Sequence, residues 1–361
     1  MQIGIVGLPF SGKTTLFQAA TKTHFDPSAL ARPEPHQAII KVPDSRLDKL
    51  TAIFSPESTV NATIELVDVV GLKRGESGST QFTTNFFANV KTNDALVQVV
   101  RVFENEAVPH PDVTVDVMRD IISFETEFII SDMTIIETRI ERIKKQIQKS
   151  GDEQSKNELP ILEKVHRILE DETPLREVDF TDEESSILKT YQLLSIKPML
   201  IALNFDESQI RTSEDEIQHV IGKKGGKNTR VVSFFGKIDL EISELSGEEA
   251  ETFMGEYGIK ESALDTLIRE AYALLGLRSF FTVGEDECRA WTIRNGRTAQ
   301  EAAGVIHSDF YDKFIRAEVV SYDDFIAAGG SFPKTKEAGQ WRLEGKDYVV
   351  KDGDIMSIRH S

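Results

Sequence analysis

Cysteine is almost absent from this sequence: Cys288 is the only one among 361 residues. A single cysteine excludes an internal disulfide framework and is typical of proteins from a reducing compartment. No apolar stretch approaches the roughly 20 residues that a membrane-spanning helix needs. The N-terminal stretch MQIGIVGLPF also lacks the charged start and the long apolar run of a signal peptide. These absences predict a cytoplasmic protein that makes no use of a membrane.

Positive charge is also scarce, since 42 Lys and Arg residues stand against 60 Asp and Glu residues. The resulting net charge of −18 excludes broad, charge-driven binding of nucleic acid, although it leaves room for a local basic patch. The sequence has no zinc-ligand spacing, no nucleophile elbow and no Cys/His pair, which removes three common kinds of catalytic site. Its length is enough for two or three domains with sizeable cores.

A phosphate-binding loop is the strongest pattern that is present. Gln2–Val6 has the composition of a short buried strand, and the following GLPFSGKT fits G-x-x-x-x-G-K-[ST] without a mismatch. Such a loop needs glycine because its backbone N–H groups must wrap closely around phosphate oxygens. We expect Lys13 to reach the terminal phosphates and the Thr14 hydroxyl to bind Mg²⁺. The predicted nucleotide-binding residues of this stretch are Gly7, Pro9, Phe10, Ser11, Gly12, Lys13, Thr14 and Thr15.

A second element of the same chemistry follows a β-branched strand at Thr63–Val67. Asp68 stands at the end of this strand, and Gly71 three residues later completes a D-x-x-G pattern. We expect Asp68 to hold Mg²⁺ through water and the Gly71 N–H to contact the γ-phosphate during catalysis. Leu72 occupies the position at which Ras-like enzymes carry a water-orienting glutamine, and it cannot hydrogen-bond to water. Either another residue positions the water, or intrinsic turnover is slow; Leu72 itself has the alternative role of packing against the core.

The turn LNFDE is a candidate for reading the base of the nucleotide. In guanine-binding proteins an Asn-Lys-x-Asp turn at such a place accepts hydrogen bonds from guanine N1–H and the 2-amino group. Here Asn204 is kept, Phe205 replaces the lysine, and Glu207 is one methylene longer than aspartate. These differences weaken discrimination in favour of guanine, but they do not by themselves select adenine. Asn204 can hydrogen-bond to N7 and the 6-amino group of adenine. Phe235 and Gly236, in FFGKID, are expected to offer backbone groups near the base.

Alternating strands and helices predict an α/β fold with a mainly parallel sheet and helices on both faces. Together with the phosphate loop, this pattern predicts the G domain of a P-loop NTPase. The predicted strands are Gln2–Val6, Gln37–Val42, Thr63–Val67, Ala95–Val100, Pro198–Leu203 and Arg230–Phe234. Between the fourth and fifth strands, apolar residues recur at three- and four-residue steps in ISFETEFIISDMTIIETRIERIKKQIQKS and in LPILEKVHRILED. The polar turn between these two stretches predicts an inserted α-helical hairpin.

Taken together, GIVGLPFSGKTTLFQAA, VPDSRLDKL, DVVGL and LNFDE resemble the YchF family, the Obg-like ATPases. The segments CRAWTI, AAGVIHSDFYDKFIRAEVVSYDDFI and EAGQWRLEGKDYVVKDGDIM are similar to the C-terminal TGS domain of that family, a small β-grasp module. The resemblance covers nearly the whole chain and implies ATPase activity and association with the ribosome. The resemblance also favours adenine as the predicted base, because N-x-x-E in this family accompanies a preference for ATP over GTP.

The pattern and the resemblance together predict a division into domains. Residues 1–122 form the first part of the G domain, 123–195 the helical insertion, 196–276 the second part of the G domain, and 277–361 the TGS domain.

Some residues depart from the family pattern. Phe10 and Ser11 replace the asparagine and valine of the usual loop GLPNVGKS, and Arg32 stands where the switch I threonine falls. Thr21 and Thr23 are nearby but belong to a different alignment. The chain therefore resembles a divergent member whose switch segments work differently.

His110 is the candidate for handling the attacking water if Leu72 cannot. It lies in FENEAVPHPD, where the resembled family carries a histidine considered for catalysis. The alternative is a solvated loop histidine between two prolines.

Two groups of basic residues are candidates for contact with rRNA phosphates. They are Arg139, Arg142, Lys144, Lys145 and Lys149 on the predicted hairpin, and Lys223, Lys224, Lys227 and Arg230 in GKKGGKNTR. A solvated helix face and a flexible turn are the alternatives.

The function predicted from these observations is a slow, Mg²⁺-dependent, ATP-preferring switch protein on the ribosome, with a monomer as the favoured oligomeric state. Two rivals stay open: a GTP-preferring GTPase that tolerates Glu207, and a nucleotide-binding scaffold with negligible hydrolysis.

Overall fold

Two structural units make up the part of the chain that this computed structural model describes, which is residues 1–22, 36–69, 72–74, 80–259 and 261–361. The first unit comprises residues 1–38 and 65–274, and the second comprises residues 39–64 and 275–361. The second unit therefore draws on two stretches that are far apart in the sequence.

The elements up to residue 101 are β1 (Gln2–Val6), α1 (Lys13–Thr21), β2 (His36–Lys41), α2 (Ser45–Phe54), β3 (Ser58–Val60), β4 (Thr63–Asp68), β5 (Leu72–Arg74), β6 (Thr80–Phe82), α3 (Thr84–Lys91) and β7 (Ala95–Arg101). Those from residue 117 to 274 are α4 (Val117–Ser150), α5 (Glu153–Glu170), α6 (Asp182–Leu188), β8 (Met199–Asn204), α7 (Ser213–Lys224), β9 (Thr229–Phe234), α8 (Gly236–Glu244), α9 (Gly247–Tyr257) and α10 (Ala263–Leu274). The remaining ones are β10 (Leu277–Thr282), β11 (Glu287–Arg294), α11 (Ala299–Ile306), α12 (Ser308–Asp312), β12 (Phe314–Ser321), α13 (Tyr322–Ala327), α14 (Phe332–Glu337), β13 (Arg342–Glu344) and β14 (Asp354–His360).

A mainly parallel sheet with the strand order β2-β4-β1-β7-β8-β9 carries the candidate site. β1 pairs in parallel with β4 and β7, and β7, β8 and β9 continue the parallel pairing. All seven residues of β7 are buried, as expected for a strand covered on both faces. The predicted α/β fold with a mainly parallel sheet is confirmed, and each predicted strand agrees with an observed one to within one residue at either end.

α4 and α5 form the predicted helical hairpin. Gly151 ends α4 in the left-handed conformation, with φ 64°, a geometry that glycine adopts without strain. Apolar residues of the two helices share one buried cluster, which includes Ile129, Ile136, Ile143, Leu162, Val165 and Leu169. Although α4 runs for 34 residues, neither it nor any other described helix is long and apolar enough to cross a membrane.

The first turns of α4 belong to the core of the parallel sheet. The helix begins at Val117, where the Asp116 carboxylate caps it by accepting a hydrogen bond from the Arg119 N–H. Ile121, Phe124 and Phe128 are fully buried in the same cluster as residues of β1, β7 and β8. A single helix thus runs from the core into the hairpin, whereas residue 123 was the start expected for the insertion.

The second unit has a sheet with the order β13-β12-β14-β10-β11-β3. Its last strand, β3, pairs in parallel with β11 and comes from the stretch between β2 and β4. α2, from the same stretch, places Phe54 in a stacked contact with Phe325 at 5.9 Å between ring centroids. Residues 39–64 are therefore part of the C-terminal structural unit, and this pairing was not predicted.

Candidate nucleotide site

The phosphate loop lies between β1 and α1, in the strand-loop-helix order that the sequence predicts. Gly7 and Gly12 have φ values of 154° and 103°, and a Cβ at Gly7 would stand 2.5 Å from the Val99 carbonyl oxygen. Only glycine fits at Gly7, because the backbone of β7 passes so close. The Ser11 N–H donates to the Leu8 carbonyl at 3.3 Å, which holds the loop curled. The loop therefore has the concave backbone that an anion site requires.

Lys13 is turned inward over this loop. Its Nζ donates to the carbonyl oxygens of Gly7 and Leu8 at 2.9 and 2.8 Å. Burial lowers the pKa of Lys13 to about 8, and the nearby Asp68 carboxylate partly opposes that shift. A phosphate group in the loop would raise this pKa again, because an opposite charge favours the ammonium form.

Asp68 stands at the end of β4, next to β1, and is 5 % exposed. Burial raises the pKa of Asp68, while the charges of Lys13 and His36 lower it. Its predicted partner Gly71 lies outside the described residues, as do Thr23 and Arg32. Asp68 is therefore the predicted switch residue that the structure does describe, and it lies beside Lys13 of the phosphate loop.

Asn204 joins the base-reading turn to the phosphate loop. Its Nδ2 donates to the Ser11 carbonyl at 2.9 Å, and its Oδ1 accepts from the Gly236 N–H at 3.1 Å. The side chain is 4 % exposed, and it approaches Gly12 so closely that a Cβ there would stand 2.2 Å from Nδ2. One hydrogen of the amide group and one lone pair of its oxygen remain for a ligand. The structure thus brings together Ser11, Gly12, Asn204 and Gly236, four of the residues predicted to bind nucleotide.

A pocket of about 190 Å³ connects these parts. Its lining includes the predicted residues Phe10, Gly12, Thr15, Asn204, Phe205, Glu207, Phe235 and Gly236. Phe205 and Phe235 lie 5.7 Å apart between ring centroids, and both are largely buried in the core. Glu207 is exposed at the start of a 3₁₀ turn, whereas the neighbouring Asp206 accepts from the Ser208 N–H and caps that turn. Glu207 is therefore the carboxylate that faces the pocket without a capping role.

The pocket has a further wall that was not predicted, formed by Phe103, Asn105 and Val108. Arg101, at the end of β7, is 2 % exposed and donates to the carbonyl oxygens of these residues. The distances are 2.8 Å to Phe103, 2.7 Å to Val108 and 3.5 Å to Asn105. An arginine that ends the mostly apolar strand ALVQVVR was the available signal in the sequence, because a buried guanidinium must find several acceptors.

His110 is buried at the far end of this loop, with 6 % exposure. Its Nε2 lies 2.9 Å from Asp120 Oδ2 in α4, and its Nδ1 accepts from the Asp112 N–H at 3.2 Å. The alternative of a solvated loop histidine is therefore wrong. Ligand atoms of His110, Asp112 and Asp120 lie within 4.8 Å of one another, but both imidazole nitrogens already have partners within the chain. The catalytic role of His110 stays a prediction.

Leu72 packs against the core cluster of the parallel sheet, so the packing alternative describes it. Five of the nine residues in the predicted basic patches pair with carboxylates. Arg139 pairs with Glu158, Lys144 with Glu163, Lys224 with Glu125, Lys227 with Asp179 and Arg230 with Glu270. These pairs reduce the positive charge that either patch presents to an RNA phosphate.

Known proteins share both the sequence and the architecture of this chain. The family model YchF-GTPase_C, described as a protein of unknown function (DUF933), matches residues 277–361. The chain is 41% identical over 360 residues to the "Ribosome-binding ATPase YchF" of Bacillus subtilis (strain 168), covering 99% of this chain and 98% of the relative. It is 34% identical over 366 residues to "Obg-like ATPase 1" of Rattus norvegicus, covering 99% and 92%. The solved structure of the Schizosaccharomyces pombe YchF GTPase superposes with a TM-score of 0.85 at 31% identity, covering 99% of this chain and 97% of that one. The chain belongs to the YchF family.

Proposed function

We propose that this protein is an Mg²⁺-dependent nucleotide hydrolase that prefers ATP over GTP and works as a slow conformational switch on the ribosome. The observation that carries the proposal is one continuous site. A phosphate loop with an inward lysine is hydrogen-bonded through Asn204 to a base turn in which Glu207 stands where a guanine reader has aspartate. The names of the relatives, which include an ATPase, a GTPase and ribosome binding, support nucleotide hydrolysis and association with the ribosome.

Thr14 and Asp68 are the residues that would hold Mg²⁺. A hydroxyl and a carboxylate are hard oxygen ligands of the kind that this ion takes together with phosphates and water. The buried Asp68 carboxyl, whose pKa is raised by desolvation, would be stabilised in its charged form by a nearby cation. The ion would neutralise charge that develops on the phosphates during transfer.

What the base turn can and cannot pair supports the proposed preference for ATP. Adenine lacks the N1–H and 2-amino donors that a fixed aspartate reads in guanine, so a site built on those donors rejects it. Glu207 has a longer and exposed side chain, which can turn away without leaving a buried charge unpaired. Asn204 keeps capacity for the 6-amino group and N7 of adenine, and the largely buried Phe205 and Phe235 offer apolar ring edges.

Slow hydrolysis is expected because, within the described part of the chain, the two positions considered for orienting water are engaged elsewhere. Leu72 packs into the core, and His110 is hydrogen-bonded to Asp120. Lys13 and Gly71 would stabilise the transferring phosphate, and His110 would act on water only after leaving Asp120. The predicted contact with rRNA, the cytoplasmic location and the monomeric state stay predictions.

Competition binding tests the central choice. Full-length protein is loaded with a fluorescent nucleotide in the presence of Mg²⁺, and unlabelled ATP and GTP are titrated against it. We expect ATP to displace the probe at lower concentration than GTP. GTP that binds at least about tenfold more tightly, a difference of about 1.4 kcal/mol, would overturn the preference and leave the GTPase rival.

A scaffold that binds nucleotide without turning it over is the second candidate, and the positions of Leu72 and His110 favour it. Phosphate release over many turnovers separates the two, with Lys13→Ala as the control for contaminating hydrolases. Release by the native protein above the level of this variant supports a hydrolase, whereas equal release supports the scaffold.

A further inference from the structure

We propose that the Phe10 side chain is a positioning residue for the nucleoside, forming a wall of the pocket that packs against the ribose and base of the bound nucleotide. The inference rests on the proposed function, since it assigns a role within the same nucleotide site.

The backbone at Phe10 is one that phenylalanine does not favour. Its φ is 64°, in the left-handed region where the Cβ of most residues crowds the backbone. Glycine avoids this strain, and asparagine tolerates it because its short polar side chain bonds locally. Phenylalanine has neither advantage, so the surrounding loop, with its Gly7 and Gly12 turns, must impose the conformation.

The ring is also exposed where an aromatic side chain would ordinarily be buried. Phe10 is 60 % exposed, whereas Phe205 and Phe235 in the same pocket are 3 % and 9 % exposed. A strained backbone and an exposed apolar ring are both unfavourable for the protein alone. A ligand that covers the ring would offset both, which is the usual reason why strain persists at a binding site.

The position of the ring indicates which part of the nucleotide it contacts. Lys13 and the loop backbone are directed to the phosphates, and Phe10 shares the pocket with the base turn and with Phe103 and Val108. The ring therefore faces the nucleoside. An apolar ring face has no hydrogen-bonding preference, so its contribution should be equal for ATP and ADP and for adenine and guanine.

Phe10→Gly and Phe10→Asn test the assignment, since both remove the ring and keep the backbone N–H of the loop. We expect the affinity for ATP and for ADP to fall by the same factor, about tenfold, with the ratio of ATP to GTP unchanged. In the nucleotide-free protein we expect the midpoint of thermal unfolding to rise by about 2–4 °C, because the strain is relieved. Phe10→Leu, which keeps apolar bulk, should lose less affinity than either.

Val113→Gly is the matched control. Val113 is also an apolar residue in the left-handed region, with φ 72° and 86 % exposure, and it does not line the pocket. Its replacement should raise the unfolding midpoint in the same way and leave nucleotide affinity unchanged.

Native affinity in both Phe10→Gly and Phe10→Asn would overturn the inference and leave the proposed function standing. A loss confined to ATP, with ADP unaffected, would also overturn it, because the ring would then act on the terminal phosphate. If the native protein binds no nucleotide while remaining folded, the proposed function fails first, and the two failures are distinguishable.

Discussion

At the phosphate end of the site, the loop is the single stretch Gly7–Thr15 with Asp68 beside it, whereas the base end comes from three separate segments. Asn204 is 193 residues from Ser11 and 32 residues from Gly236, yet it bonds to both. A local loop is determined by its own glycines and by the strand and helix that flank it. The base end exists only because β8 and β9 lie side by side in the sheet. In this site, phosphate binding therefore depends on a local loop, whereas base selection depends on segments that only the fold brings together.

Lys13→Ala should have the largest effect and bears on the phosphate end alone. We expect nucleotide affinity to fall by at least about 100-fold, because a charge-assisted contact to phosphate is lost. The affinities for ATP and GTP should fall by the same factor, as measured by competition binding. Lys189→Ala removes an equal charge from an exposed position and serves as the control. A selective loss of one base would contradict the separation between the two ends.

Asp239 stabilises the segment around Phe235 at the base end of the pocket, and its substitution tests this contribution. Its carboxylate accepts from the Phe235 and Leu264 N–H groups at 2.9 and 3.1 Å, and from the Ser262 hydroxyl at 3.2 Å. Burial raises the pKa of Asp239 from 3.8 to about 6. Since the folded state binds this proton more tightly, the stabilising contribution is fully present below pH 3.8 and is lost as the pH rises through about 6.

Denaturant unfolding of the native protein and of Asp239→Asn between pH 4 and 7 measures this linkage. Between pH 4 and 7, the native protein should lose roughly 2–3 kcal/mol of unfolding free energy relative to the Asp239→Asn variant as the pH rises. Other carboxyl groups cancel in the difference. A difference that does not vary with pH would mean that Asp239 titrates normally.

Asn204→Ala should break the connection between the two ends. It leaves the buried Ser11 carbonyl and Gly236 N–H without this partner, which costs about 1–2 kcal/mol of binding and lowers affinity about 5- to 30-fold. Asn61→Ala is a matched control, because the Asn61 amide also donates to a backbone carbonyl, that of Val42, in the second structural unit. Native affinity in Asn204→Ala would show that the ends are assembled independently.

Glu207→Asp should have the smallest effect and concerns base choice alone. Shortening the side chain restores the carboxylate geometry of a guanine reader, so the ratio of GTP to ATP affinity should rise about five- to tenfold. Glu207→Gln keeps the length and removes the charge, and it should not favour GTP. Equal ratios in the native protein and the aspartate variant would assign base choice to other residues.

The wall at residues 103–108 shows where prediction from the sequence stopped. The arginine at the end of β7 was a signal that its side chain needs acceptors, but the sequence did not show that these are the carbonyl groups of the following loop. The environment of His110 was missed because its partner Asp120 lies on α4. The contact between His110 and Asp120 depends on packing between elements, which periodicity does not encode.

The chain by itself determined the strands, the helical hairpin and the phosphate loop, because each follows from a local rule of spacing, burial or glycine geometry. Only the tertiary structure decided that Asn204 bridges the two ends of the pocket, that Arg101 builds a third wall, and that β3 joins the C-terminal sheet. The Asn204 contacts and the pairing of β3 with β11 join polar groups across long sequence distances, whereas Arg101 folds back onto carbonyl groups two to seven residues away. Their formation requires the fold to be complete, since a buried donor or acceptor is stable only when its distant partner has arrived.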